Sequence, residues 1–307
     1  MPAHDEALLE LGQLLARQNY RFITPAPETH RRVVSRGGEA RSLPDIFGWS
    51  KPFRSSSVAA EIIELLQKGE ALESLGGGLL RSAVRFSSLD GLLLMHSRYP
   101  TDQTEAVFFG PDTYRFGREV CALLKRHPQF SPRTVVDIGA GTGAGGLLCG
   151  SRLPNARIVL ADINTEALRM ASINASLNGL SAQTVRSDVL DAVEDKPDLI
   201  ISNPPYLVDA AARTYRHGGG AWGCELSVRI LRESLARMPV DGKLLLYTGA
   251  PVVDGIDVFL EAAKPLLEPL KSSVRYEEVD PDVFGEELER APYDRADRIA
   301  AVVVIIE

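Results

Sequence analysis

The chain has 307 residues, of which 45% are hydrophobic and 24% charged, with a net charge of −7 at pH 7. This is ordinary for a folded globular protein and long enough for a domain of about 180 to 200 residues plus a smaller one. The acidity argues against a large general nucleic-acid surface, and no apolar run approaches the roughly 20 residues that span a bilayer. The start is acidic and amphipathic where a signal peptide is basic and then apolar, so a cytoplasmic location is expected.

Leucines 8, 9, 11, 14 and 15 stand at helical spacing and predict a first helix over residues 5–20. From Thr24 to Phe53 four prolines and Gly37-Gly38 argue against long regular elements. Residues 31–54 carry Arg31, Arg32, Arg36, Arg41, Lys51 and Arg54 against Glu39 and Asp45, a basic stretch expected to be a solvated loop. A second helix follows Ser55-Ser-Ser57, with serines available as N-caps, and Gly76-Gly-Gly78 breaks the chain. Leu79–Tyr99 then reads as a hairpin turning at Asp90-Gly91. Residues 1–105 are thus expected to form a smaller α+β substrate or docking region, and residues 106–307 the catalytic domain.

After a helix from Tyr114 to about Arg126, strands are expected near 133–138, 156–161, 182–187, 198–202 and 242–248. Helices are expected near 143–152, 165–178, 225–238 and 256–270. This alternation predicts a parallel sheet covered by helices on both faces. Two final strands, from Ser273 and from Arg298, are joined by a long loop without a helix and should pair antiparallel. Cys121, Cys149 and Cys224 form no C-x-x-C, and the five histidines form no H-x-x-x-H pair. Neither a disulfide framework nor a metal site is expected.

The motif at residues 137–146 organises the chain. Asp137-Ile-Gly-Ala-Gly-Thr-Gly143 ends a strand and opens a helix, and its glycines allow positive φ and close approach of a ligand to the backbone. Gly141–Gly146 also matches the dinucleotide pattern G-x-G-x-x-G, and Asp162, closing the next apolar run, suits the ribose of NAD as well as any other. Asn203-Pro-Pro-Tyr206, after Asp198–Ser202, has no use in an NAD enzyme. In this order and spacing the three motifs resemble the class I S-adenosylmethionine (SAM) methyltransferases. That resemblance implies a Rossmann-like, seven-stranded, mostly parallel sheet with an antiparallel C-terminal hairpin.

It also implies SAM as cofactor, with Asp137, Gly139, Ala140, Gly141, Thr142 and Gly143 under the methionine part and ribose. Asp162 and Ile163 follow at the ribose, Asp188 and Val189 at the adenine, and Asn203 beside the methyl group. Asp188 is equally a turn or helix-cap residue. For catalysis, the Asn203 side-chain oxygen and the Pro204 carbonyl can each accept one N–H of a planar amide or amino group. Pro204 and Pro205 hold the backbone extended, and Tyr206 can stack on the planar group.

With Gly218–Gly223 and Phe109-Gly-Pro-Asp-Thr113, the set is most similar to the HemK/PrmC branch of protein-glutamine N5-methyltransferases. The acceptor this implies is a protein glutamine. An RNA or DNA base amino group, or a small amide or amine, is the alternative. Phe109, Asp112 and Thr113 are candidates for the methionine end of SAM. Arg213, Tyr215, Arg216 and Trp222 are candidates for a lid or substrate clamp, a flexible surface loop being the alternative.

Overall fold

A computed structural model describes residues 1–194, 196–209, 213 and 215–307. Helix α1 (Ala3–Arg17) buries Leu8, Leu11, Leu14 and Leu15. Helices α2 (Pro27–Val34) and α3 (Leu43–Phe47) lie in the proline-rich stretch and are both short, as the expected absence of long regular elements there allows. Both carry proline in the first turn, where its missing N–H costs nothing, so the prolines start helices here. Helix α4 (Ala60–Lys68) begins after the expected serine caps, because Ser55–Ser57 form a separate 3₁₀ turn.

The glycine tract is the turn of a hairpin between β1 (Leu72–Gly76) and β2 (Leu79–Ser82). The apolar run expected to be one strand divides at Ala83. The Ser82 hydroxyl bonds locally to Val84 and bends the chain from β2 into β3 (Val84–Leu89). Strand β3 then pairs with β4 (Leu92–Ser97) about Asp90-Gly91, both in positive φ as a tight two-residue hairpin requires.

Helix α5 (Pro111–Arg126) leads into the main sheet. Strand β5 (Thr134–Ile138), helix α6 (Ala144–Gly150), strand β6 (Arg157–Asp162), helix α7 (Thr165–Leu177) and strand β7 (Gln183–Arg186) build one half. Strand β8 (Leu199–Ser202), helix α8 (Glu225–Arg237), strand β9 (Lys243–Val253), the two-residue β10 (Ile256–Asp257) and helix α9 (Val258–Leu267) continue the other. Strands β11 (Val274–Asp280) and β12 (Arg298–Ile306) close the chain.

The strand order is β11-β12-β9-β8-β5-β6-β7, with β10 folding back on β9. Pairing is parallel from β9 through β7, and β12 inserts antiparallel between β9 and β11. Strand β9 outruns its expected end because nine residues of β12 register along it as far as Val252. The sheet is buried on both faces, which explains its continuous apolar strands. The order reverses between β5 and β8, and the crevice beyond the strand ends at such a switch point is where α/β sheets bind ligands. No helix among the described residues is long and apolar enough to cross a membrane.

The N-terminal elements share a core with α7, whose Ala167, Met170 and Ile173 pack among the leucines of α1 and α4. A Cβ at Gly12 would stand 2.8 Å from Leu177 Cδ2, so α1 lies directly on α7. Two amides of α7, one turn apart, clasp the edge of β4. Asn174 accepts from Met95 N (2.7 Å) and donates to Met95 O (2.9 Å), and Asn178 treats Leu93 likewise (3.0 and 2.9 Å). Asn174 also donates to Thr142 O at 3.0 Å, tying this edge to the glycine turn.

Candidate active site

The turn after β5 places Gly139 and Gly141 at φ 66° and 53°. An added Cβ at Gly141 meets no atom within 4 Å, and at Gly139 only Pro204 Cα at 3.9 Å. Glycine is required here by the backbone conformation, and the space above it is open for a ligand. Gly143 differs from expectation. It does not line the cleft, and a Cβ there would lie 3.1 Å from Leu160 and 3.3 Å from Ala171. At φ 78° it caps α6 and lets that helix close on the sheet.

A cleft of about 200 Å³ opens over this turn. Asp137, Gly139, Ala140, Gly141, Thr142, Asp162, Ile163, Asp188 and Val189 line it, as do Asn203, Pro204, Pro205 and Tyr206. The strand ends therefore gather the expected residues around one space. Asp162 accepts from Gly141 N (2.9 Å) and Asn164 N (2.8 Å), one to each carboxylate oxygen. Each oxygen keeps a further acceptor position. Burial pushes its carboxyl up, and the backbone N–H groups of Asn164 and Gly141 hold it down in part.

Asp137 is buried under the turn and accepts from Gly146 N at 2.7 Å, at the start of α6. Burial pushes its carboxyl up to about 7, against the opposing pull of that N–H. Asp188 accepts two 2.9 Å bonds from Arg229, so it is an ion-paired residue at the mouth of the cleft. Val189 sits at φ 53°, a costly conformation for a β-branched residue, on the cleft wall.

On the opposite wall, neither the Asn203 carboxamide nor the Pro204 carbonyl receives a hydrogen bond from the described residues. Tyr206 is held more firmly than expected. Its hydroxyl donates to Asp112 at 2.5 Å, and Asp112 also accepts from Tyr247 (2.8 Å) and Arg115 (2.9 Å). Asp112, a candidate for the cofactor's methionine end, lines the cleft and is held there by two phenols and a guanidinium. The Tyr206 ring lies flat against β9, where a Cβ at Gly249 would be 2.1 Å from Cδ2. The loop of Gly218–Gly223 packs on the same backbone: a Cβ at Gly218 would meet Gly223 O at 2.0 Å and Pro205 O at 2.7 Å.

The acceptor candidates divide. Tyr215 and Arg216 line the cleft; Phe109, Arg213 and Trp222 do not. Phe109 is buried between His96 and Tyr114, and its neighbour Phe108 takes the wall position, stacked on Tyr215 at 5.8 Å. Alternation along the chain sends one phenylalanine inward and the next to the cleft. Trp222 packs on Tyr293, which also donates to its carbonyl at 3.2 Å. Arg213 turns to Asp209, 2.9 Å from Nε, and this guanidinium holds the Asp209 carboxyl down to about 2. Tyr215 donates to Thr101 O at 2.7 Å, and Arg216 pairs with Glu287. Three anchors thus tie the segment down on the sides that the structure describes; Thr214, between them, lies outside the described residues. Phe284 and Phe108 were not anticipated, since nothing local distinguishes them from core aromatics.

The donor set fits SAM: open glycine backbone, a carboxylate with free acceptor positions at the end of β6, and a second buried carboxylate beneath. The fold is that of the Rossmann-like SAM-dependent methyltransferases. Residues 115–246 match the methyltransferase small domain. The chain is similar to the release factor glutamine methyltransferase of Enterococcus faecalis, at 34% identity over 46% of this chain and 55% of the relative. The corresponding protein of Deinococcus radiodurans is 31% identical over 50% of this chain and 55% of its own. Ribosomal RNA small subunit methyltransferase C of Haemophilus influenzae is 43% identical over 27% of this chain and 26% of its own. The chain spans about half the length of the release factor methyltransferases it matches. A SAM-dependent methyltransferase from Agrobacterium tumefaciens shares the fold, with TM-score 0.50 and 14% identity over 77% of this chain and 76% of that one.

Proposed function

We propose that this protein methylates a planar amide nitrogen, that of a protein glutamine side chain, using SAM. The observation that carries this reading is the pair of unbonded acceptors, Asn203 and Pro204 O, in the same cleft as the glycine turn and Asp162. Bound SAM supplies a methyl group on a positively charged sulfur. The chain's own residues hold the acceptor: Asn203 Oδ1 and Pro204 O each take one N–H of the amide, fixing the nitrogen and raising its electron density. Pro204 and Pro205 keep the two acceptors aimed alike, and the Gly218–Gly223 loop backs them. The clamped Tyr206 ring forms a fixed wall for the planar group.

In this reading residues 1–105 are the acceptor-docking region, residues 106–307 the methyltransferase domain, and the enzyme works in the cytoplasm. The release factor relatives support a protein acceptor across the matched half. Base methylation is the second reading, favoured by the ribosomal RNA relative. Against it, three carboxylates balance half of the charge of the six cations in the basic stretch. Arg31 and Arg32 pair with Glu28, Lys51 with Asp45, and Arg54 with Glu39.

The test is methyl transfer from labelled SAM into a lysate fractionated into protein, nucleic acid and small molecules. Label in a protein band, lost with Asn203→Ala while SAM affinity stays within a few fold, is the expected result. Label in RNA or DNA promotes the second reading. Label only among small molecules replaces both with a metabolite amide or amine.

A further inference from the structure

A second cavity, of about 150 Å³, adjoins the cleft, and Phe108, Tyr215 and Arg216 line both. Its wall includes three arginines and no carboxylate. Two of these cations are paired, Arg213 with Asp209 and Arg216 with Glu287. Arg85 is not. It comes from β3 and is 2% exposed, and among the described residues no carboxylate lies within ion-pair distance of it. Its Nε donates to Ser97 O at 3.0 Å, and Nη1 stands 3.4 Å from His30 Nδ1. Nη2 makes no hydrogen bond among the described residues.

Burying a charge without a counter-ion is unfavourable. Burial lowers the guanidinium to about 10, which still leaves it charged at neutral pH. Burial, and then Arg85 itself, push His30 down to about 4, so His30 stays neutral. The cavity therefore presents one desolvated cation to a recess beside the cleft. A guanidinium in such a setting is half of an ion pair whose other half is a carboxylate or phosphate oxygen.

We propose that this cavity is an oxyanion subsite for the methyl acceptor, in which Arg85 receives a terminal carboxylate or phosphate while the nitrogen lies at Asn203. The existence of the subsite stands on Arg85 and its cavity; only its assignment to the acceptor rests on the methyl-transfer reading. The size and burial select a terminal group, since a nucleic-acid strand must both enter and leave. The Phe108–Tyr215 stack, common to both spaces, partitions nitrogen from anion. The acceptor selected is a glutamine with an acidic group beside it, as at a chain terminus or next to an acidic residue; a small phosphate monoester offers the same chemistry.

The test titrates glutarate and inorganic phosphate, separately, into the full chain saturated with S-adenosylhomocysteine. Calorimetry gives the affinity, and the protected Nε–H resonance of Arg85 reports the place. Wild type is expected to bind, with that resonance shifting, and Arg85→Met to lose at least tenfold while S-adenosylhomocysteine affinity stays within twofold. Stronger binding of glutarate assigns a carboxylate, and of phosphate a monoester. Equal binding by both proteins, or no binding by wild type at millimolar concentration, overturns the subsite. Should Arg85→Met fail to fold, the wild-type resonance decides alone: no shift on saturation overturns it. Anion binding without any N-methyl transfer in the lysate assay leaves the subsite and removes the methyl-acceptor assignment.

Discussion

Asp137→Asn isolates the cost of holding a carboxylate beneath the glycine turn. Its carboxyl titrates at about 7 in the folded protein because of burial, against an ordinary value of 3.8. Between those values the folded state keeps the proton that the unfolded state has lost, so stability falls as pH rises. The stabilisation is fully present below pH 3.8 and gone above pH 7. At 1.36 kcal/mol per unit the total is about 4 kcal/mol, of which about 3 kcal/mol falls between pH 5 and pH 8. Asparagine retains the acceptor for Gly146 N and cannot ionise. Urea unfolding of both proteins, followed through Trp49 and Trp222, gives the difference in stability at each pH. That difference should grow by about 3 kcal/mol in favour of Asp137→Asn from pH 5 to pH 8. Using the difference cancels the other titrating groups and any constant packing change. Parallel pH curves for the two proteins would refute the buried, protonated carboxyl. The same variant should bind SAM weakly at every pH, whereas wild type loses affinity only as pH drops through about 7.

Asp162→Ala should weaken SAM binding by at least tenfold in equilibrium titration, since it removes the acceptor proposed for the ribose hydroxyls; unchanged affinity would take Asp162 out of the cofactor site. Gly249→Ala forces its Cβ to within 2.1 Å of the Tyr206 ring. Turnover should fall at least tenfold with SAM affinity kept within a few fold, and unaltered turnover would show that the ring position is irrelevant to the acceptor. Asn174→Ala leaves Met95 N, Met95 O and Thr142 O without their buried partner. Denaturant unfolding should show a loss of about 2–4 kcal/mol; a loss below about 0.5 kcal/mol would mean that the clasp on β4 is not what joins the N-terminal elements to α7.

The glycine turn, Asp162 and the Asn203–Tyr206 run are legible in the sequence because each depends on a few consecutive residues at a strand end. Positive φ, a terminal carboxylate and paired prolines are local demands, and local demands leave a mark at fixed spacing. The alternation of strands and helices, and the reversed pair at the end, were legible for a related reason. A buried parallel sheet needs continuous apolar strands, and an antiparallel pair needs only a connection without a helix. Helices α2 and α3 are short, as the four prolines of that stretch require, and each has its proline in the first turn, where it is compatible with a helix.

What tertiary structure alone decided is which side chains meet across long separations. Phe108 and Phe109 are equivalent on paper, yet one faces the cleft and the other the core. Asp112 sits beside the cofactor turn in the sequence-based expectation, and in the fold it clamps Tyr206 and Tyr247 from 94 and 135 residues away. Arg85 lies in an ordinary amphipathic strand, and only the closing of the Phe108–Phe109 segment, the proline-rich stretch and the Tyr215 segment around it makes it a buried cation without a counter-ion among the described residues. Sequence by itself determined the chain's fold class and the glycine turn at the floor of its cleft, because backbone conformation and hydrophobic period are properties of neighbouring residues. Burial and charge pairing are properties of the whole packed molecule, so the clamp on Tyr206 and the Arg85 cavity exist only once the chain has folded.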